Sequence, residues 1–222
     1  MKVACLFSGG KDSAFAAFYC MFQAWDTTLL TMRSGEDSFM FHHPNTKWCG
    51  LQAKAMGLPI KFVETRNERE LEDLKSALAR MKKENKIDAV VSGALASEYQ
   101  KQRIDRIADE LGIRSLSPLW HVRQQLMNEV LETSETYVVA VAAEGLDESY
   151  LGARFDKKMA EKISRLKIPV HPMFEGGEAE TFVADASFFN TRLAPAEWKK
   201  TWHGTSGVAE IMKIREERKK GK

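Results

Sequence analysis

Apolar residues along this chain follow two periods, short unbroken runs and longer stretches with an apolar position every three or four residues, and the two alternate through the first half. Residues 2–7 form the first run and predict a buried strand, after which Phe15, Ala16, Tyr19, Cys20 and Phe22 mark the apolar face of a helix. Residues 27–32 and 60–64 predict two further strands, with a helix over 48–56 between them that Gly57 ends. Thr65, Arg66, Asn67 and Glu68 have the form of a capping box, ahead of a surface helix with Leu71, Leu74, Leu78 and Met81 on its apolar side. A fourth strand is expected over 88–93, and a helix opening near Glu98 buries Ile104, Ile107, Ala108 and Leu111 before Gly112. Strands alternating with helices predict a parallel sheet covered on both faces, whose ligands lie at the carboxyl ends of the strands.

The pattern changes at Ser117, Pro118, Leu119 and Trp120, where proline closes the sheet repeat. A domain boundary is placed there, giving segments 1–118 and 119–222. The second segment predicts a helix over 121–132, a strand over 137–142, a connection over 145–152 and a helix over 156–166. Past Phe188, Trp198 and Trp202 flank a turn at 204–207, and Val208, Ile211 and Ile214 fit a helix or an irregular strand equally well.

With 222 residues the chain can bury one sizeable core, or a larger domain carrying a smaller one. A net charge of +2 gives no general nucleic-acid signal, and the basic tail, with Arg215, Arg218, Lys219, Lys220 and Lys222, reads as a solvated end. No apolar stretch reaches membrane-spanning length and Met1 and Lys2 lead directly into the first strand, so a cytoplasmic protein without membrane contact is expected. Cys5, Cys20 and Cys49 lie outside any disulfide or zinc spacing, and Cys5 and Cys20 are expected to act as small buried hydrophobes.

The chemistry concentrates in the turn Ser8, Gly9, Gly10, Lys11, Asp12, Ser13, between the first strand and the first helix. Glycines there let the backbone take positive φ and gather N–H groups into an anion-binding concavity, which the positive end of the helix dipole reinforces. Ser8 and Ser13 add hydroxyl donors, Lys11 a cation, and Asp12 a hard oxygen ligand suited to magnesium. The string is neither a Walker A loop nor a Gly-x-Gly-x-x-Gly fingerprint, and the plainer alternative is a capped strand-to-helix turn. Parallel topology brings the Gly93 turn to the same sheet edge; Lys101 and Arg103 then either reach a triphosphate or stand as solvated helix charges. Phe39, Met40, Phe41, His42 and His43 form a cluster that could border an adenine pocket. Over 175–183, three carboxylates and two glycines predict an exposed acidic turn or a site for a cation, since a buried strand would not tolerate them.

The Ser8 to Ser13 string resembles the pyrophosphate loop of the N-type ATP pyrophosphatases. Together with the strings at 38–42, 93–103, 117–120, 145–152 and 175–183, the chain resembles the diphthine-ammonia ligases within that superfamily, over nearly all of its length to Phe189. The resemblance implies an α/β fold, with a parallel-sheet Rossmann-like ATP-pyrophosphatase domain followed by a smaller α/β acceptor-binding domain. It implies ATP-dependent amidation of diphthine on the translation elongation factor, with ammonia as donor and AMP and pyrophosphate as products. ATP and magnesium are the expected cofactors and the elongation factor the expected partner, with no direct nucleic-acid binding; a homo-oligomer is left open. Carried onto this sequence, the nucleotide group is Ser8, Gly9, Gly10, Lys11, Asp12, Ser13, Gly93, Lys101 and Arg103, with Asp12 also the metal ligand. The acceptor group is Glu175, Gly176, Gly177, Glu178, Glu180 and Thr181, and Lys11, Asp12 and Glu178 are the expected catalytic residues. Ala179 departs from the family, which usually carries an aromatic residue there, and this bears on the acceptor pocket's shape. Competing functions are a related ligase on a small metabolite, as in cobalamin salvage, a tRNA-modifying ATP pyrophosphatase, and an ATP-binding module without chemistry.

Overall fold

Five short strands line up in parallel, and the chain builds outward on one side of the first strand and then crosses to its other side. The computed structural model describes residues 1–34, 45–94, 98–121 and 131–219, and of Asn67 only the backbone. In chain order the first part holds β1 (Lys2–Leu6), α1 (Lys11–Phe22), β2 (Asp26–Arg33), α2 (Cys49–Met56), β3 (Ile60–Glu64), α3 (Glu70–Asn85), β4 (Ala89–Val91), α4 (Glu98–Leu111) and β5 (Arg114–Leu116). β1 lies between β2 and β4, pairing Val3 with Thr27 on one side and with Ala89 on the other. Flanked on both sides, β1 carries Val3, Ala4 and Cys5 at no exposure, as a central parallel strand must. One layer of the core joins Ala4, Leu30 and Val90 of the sheet to Leu74, Leu78 and Met81 of α3 and Ile104 and Ile107 of α4.

The reversal of strand order beside β1 is a topological switch point, and the crevice at the carboxyl ends of β1 and β4 is where such sheets take ligands. All three cysteines are buried without a disulfide, Cys5 in β1, Cys20 in α1 and Cys49 in α2. A hydrogen bond with Cys20 and burial raise the Cys5 thiol well above its ordinary value, and burial pushes Cys49 up to about 12.

In this part of the chain local expectations fail in three places. Phe22, expected on the apolar face of α1, is 76 % exposed at the helix end. Thr65 does not open a capping box: a 3-10 turn over Asn67–Arg69 intervenes, Arg69 caps α3 without a side-chain bond, and the Thr65 hydroxyl donates to Asp73 Oδ2 at 2.7 Å. β5, three residues long, was too short to show as a run.

The remainder is a four-stranded antiparallel sheet with a short helix. Its elements are β6 (Ser134–Val141), α5 (Lys157–Ile163), β7 (Ala179–Ala186), β8 (Thr191–Trp202) and β9 (Gly207–Arg218). β6 alternates in burial, with Thr136 and Val138 inside and Glu135 and Tyr137 partly exposed, the pattern of a sheet solvated on one side. The end of the chain, left between helix and strand by its sequence, is the β8–β9 hairpin. The inward side of β9 is Gly207, Ala209 and Ile211, mostly small residues, and register shifts around Glu197 in β8 break the two-residue period. The basic tail is in part paired strand rather than a loose end, since Arg215 and Arg218 lie in β9 opposite Ala194 and Thr191. Arg192 of β8 grips Glu135 of β6 through Nε (2.6 Å) and Nη2 (2.7 Å), and reaches Glu217 of β9 through Nη1 (2.6 Å).

By contacts the chain divides into one unit of Met1–Ser8 and Asp12–His121 and another of Gly9–Lys11 and Val122–Lys222. The tip of the glycine turn thus groups with the antiparallel sheet. No helix among the described residues is long and apolar enough to cross a membrane.

Candidate active site

The chain leaves β1 at Leu6 and enters α1 at Lys11, with Gly9 at φ 84°, a left-handed value that a side chain would strain. Ser13 reaches back across the turn: its Oγ accepts from Ser8 N at 3.2 Å and lies 3.2 Å from Ser8 Oγ. Asp12 stands in the first turn of α1, where the dipole favours a carboxylate, and Lys11 is 3 % exposed. After β4 the backbone of Gly93 presses on this turn so closely that a Cβ on it would come within 2.8 Å of Asp12 O and Ser13 N. Gly93 is therefore required for space, whatever its φ, and Ser92 beside it is held by Ser117, Oγ to Oγ 3.0 Å. Ser8, Asp12, Ser13 and Gly93 are brought together as expected of one sheet edge.

The tip of the turn has partners on β7. Val183 N donates to Gly9 O at 3.0 Å, and Lys11 N donates to Thr181 Oγ1 at 3.0 Å. Nothing in the sequence pointed to these contacts, because the pairing spans 170 positions and needs only an ordinary strand threonine.

Lys101 and Arg103, by contrast, are engaged on their own helix. Lys101 Nζ forms an ion pair with Asp105 and lies 5.5 Å from the Trp120 ring centre. Burial pushes the Asp105 carboxyl up, but hydrogen bonds from Lys101 and Ser115 and the charge of Lys101 together outweigh it and hold the group below its ordinary value. Arg103 donates from Nη1 to Tyr99 O at 3.1 Å and stacks its guanidinium 3.2 Å from the Tyr99 ring centre. To grip a phosphate, each would give up or share a local partner.

The acidic string is a structured loop followed by a strand. Phe174 takes φ 58° and Gly177 φ 81°, and both oxygens of Glu178 accept backbone N–H groups, from His171 at 3.0 Å and Gly176 at 2.8 Å. A Cβ on Gly176 would meet Glu178 Oε1 at 2.9 Å, so that glycine makes room for the carboxylate. Small neighbours thus let Glu178 fold back and bind its own loop. His171 Nδ1 accepts from Met173 N at 3.2 Å, and its Nε2 lies 3.7 Å from Glu175 Oε2. The expectation that no strand could run here fails from Ala179 onward, because Glu178 lies just outside β7 and Glu180 takes a partly exposed position between buried Ala179 and Thr181. Phe39, Met40, Phe41, His42 and His43 lie outside the described residues, as do Leu95, Ala96 and Ser97.

Residues 1–115 match the family model of the diphthamide synthase N-terminal domain and residues 123–216 that of the diphthamide synthase C-terminal domain. The human diphthine–ammonia ligase is 29% identical over 241 residues, covering 97% of this chain and 90% of its own. The rat protein of the same name is 31% identical over 242 residues, with the same coverage of 97% and 90%. A third diphthine–ammonia ligase, from Schizosaccharomyces pombe, is 31% identical over 235 residues, covering 94% of this chain and 38% of its own. Matched in order by both domain models and along nearly all its length by relatives of one name, the chain belongs to the diphthamide synthase family.

Proposed function

We propose that this chain is a diphthine–ammonia ligase that uses ATP to activate a carboxylate on the elongation factor and then amidates it. The observation that carries this is the turn at the switch point, where Gly9 at φ 84°, the first turn of α1 and the close approach of Gly93 shape a backbone cradle suited to phosphate. A carboxylate is a poor electrophile at neutral pH. Its oxygen attacks the α-phosphorus of ATP, pyrophosphate leaves, and the resulting acyl-adenylate carries AMP as a good leaving group. Ammonia then adds to the acyl carbon, AMP departs, and the surplus proton passes to a base.

In this scheme Gly9 and Gly10 admit the phosphates, Ser8 and Ser13 donate hydroxyls, and Lys11 offsets charge on the departing pyrophosphate. Lys101 and Arg103 are proposed to turn from Asp105 and Tyr99 toward the nucleotide. Asp12 fits magnesium, which is commonly held by one or two carboxylates together with phosphate oxygens and water rather than by an all-protein cage. Bound there, the ion would neutralise phosphate charge. Accordingly, no group of three metal-binding side chains is needed, and none occurs among the described residues. Glu175, Gly176, Gly177, Glu178 and Glu180 are proposed for the acceptor, whose trimethylammonium group an acidic loop would attract, and the elongation factor places the reaction in the cytoplasm.

The test is incubation with ATP, magnesium, ammonium and purified diphthine-bearing elongation factor, read by mass spectrometry. Conversion of the carboxylate to its amide, with equimolar AMP, is the expected result. Pyrophosphate release only with a small metabolite, or ATP binding without any release, would select a competing function instead.

A further inference from the structure

We infer that Thr181 is a positioning residue for the glycine turn, supplying from β7 the helix cap that the turn cannot supply itself. The inference rests on the proposal that this turn binds ATP. Helices commonly begin with a Ser, Thr, Asp or Asn whose side chain accepts from one of the first backbone N–H groups. Here the residue before α1 is Gly10, which has no side chain. The N–H of Lys11, the first residue of α1, donates instead to Thr181 Oγ1 at 3.0 Å.

A second bond makes the arrangement directional. Val183 N donates to Gly9 O at 3.0 Å, so residues 9 and 11 of the turn meet residues 183 and 181 of β7 in opposite order. The peptide units on both sides of Gly10 are thereby fixed, in the stretch where glycine's freedom would otherwise cost most entropy on ordering. β7 is a firm support. Thr181, Phe182 and Val183 pair with Val138, Tyr137 and Thr136 of β6, Phe182 and Val183 are 1 % and 2 % exposed, and Thr181 itself is 7 % exposed. A buried hydroxyl whose oxygen holds a backbone N–H of the turn serves the nucleotide's cradle, a different duty from the acceptor contact that its place in the acidic string implies. Holding the turn in its binding shape before ATP arrives is the gain, since ordering it at the moment of binding would subtract from affinity.

Thr181→Val keeps the volume and the β-branch and removes the acceptor; Thr181→Ser keeps the hydroxyl. The full chain is used, with ATP affinity measured by calorimetry, KM measured separately for ATP and for the elongation factor, and exchange of the Lys11 amide followed by NMR without nucleotide. For Thr181→Val the expected result is ATP binding weakened about tenfold, the equivalent of one net hydrogen bond, with the elongation-factor KM unmoved and Lys11 exchange faster. Thr181→Ser should restore all three. If Thr181→Val fails to fold, Thr181→Ala takes its place beside Thr181→Ser with the same expectations. Wild-type ATP affinity and Lys11 exchange in the variant lacking the hydroxyl would overturn the inference, as would a rise in the elongation-factor KM alone. Were wild-type protein not to bind ATP, the proposed function would fall, while Lys11 exchange would still decide whether Thr181 caps the turn.

Discussion

A methyl group on Gly93 would stand 2.7 Å from the carbonyl carbon of Asp12, closer than any real side chain approaches backbone. Gly93→Ala must therefore push the turn after β4 away from the first turn of α1. Overpacking of this kind typically costs about 1–3 kcal/mol. Urea unfolding should show a loss in that range, and calorimetry a fall in ATP affinity of about tenfold or more. Wild-type affinity in Gly93→Ala would mean that the two turns do not jointly shape the nucleotide site.

Asp12→Asn keeps the size of the side chain and a polar group in the first turn of α1. Folding should be preserved, while magnesium-dependent ATP turnover falls by about a hundredfold, the scale of weakening a cation clamp on a developing phosphate charge. The assay is pyrophosphate release titrated with magnesium. Unchanged turnover at unchanged magnesium would remove Asp12 from the site.

Arg103→Ala separates two duties of one side chain. The guanidinium stacks on Tyr99 and bonds its carbonyl oxygen, both on α4. A rise in KM for ATP with little change in the unfolding midpoint supports its proposed turn toward the nucleotide. A change in stability alone assigns it to the helix.

Glu178 holds two backbone N–H groups of its loop, and Glu178→Ala would leave both without that carboxylate. Amide formation should fall about a hundredfold or more, with ATP affinity nearly intact. Glu178→Gln offers one carbonyl oxygen where two oxygens accepted, so activity between wild type and Glu178→Ala is expected if the carboxylate acts by shaping the loop. Equal loss in both variants would instead assign the effect to its charge.

The Arg192 bridge makes part of the second sheet's stability acid-sensitive. Hydrogen bonds from Arg192 lower the Glu135 carboxyl below its ordinary value, against opposition from burial. A group lowered in the folded state stabilises fully above its unfolded value, near 4.3, and that contribution is lost as pH falls through the lower folded value. The thermal stability of wild type should thus fall in that acid range. Arg192→Ala should cost about 1–3 kcal/mol at neutral pH and flatten the acid dependence.

The parallel sheet was legible because buried parallel strands read as unbroken apolar runs and their helices as three- and four-residue periods; β1 and β4 follow directly. The resemblance drawn from the strings at 8–13, 93–103 and 175–183 is borne out by both domain models. β7 and β9 were hidden by composition. Glu178 and Glu180 made the opening of β7 look like an acidic turn, and the inward side of β9 is too small to register as apolar. The Thr65 hydroxyl chose Asp73 over the helix backbone, a tertiary choice that a four-residue pattern cannot see. Least legible was the tip of the turn, since a glycine before a helix says only that the cap must come from elsewhere.

The three buried cysteines also give the protein a native reporter. Cys5, Cys20 and Cys49 lie on β1, α1 and α2, and no cysteine follows Cys49 in the sequence. A thiol reagent added to the folded protein can reach them only through opening of these elements, and the raised thiols of Cys5 and Cys49 keep those two in the unreactive protonated form until then. Labelling rates therefore time the breathing of the parallel sheet alone, without an engineered probe. A nucleotide seated between Cys5 and Cys20 in sequence would slow that clock in proportion to its occupancy.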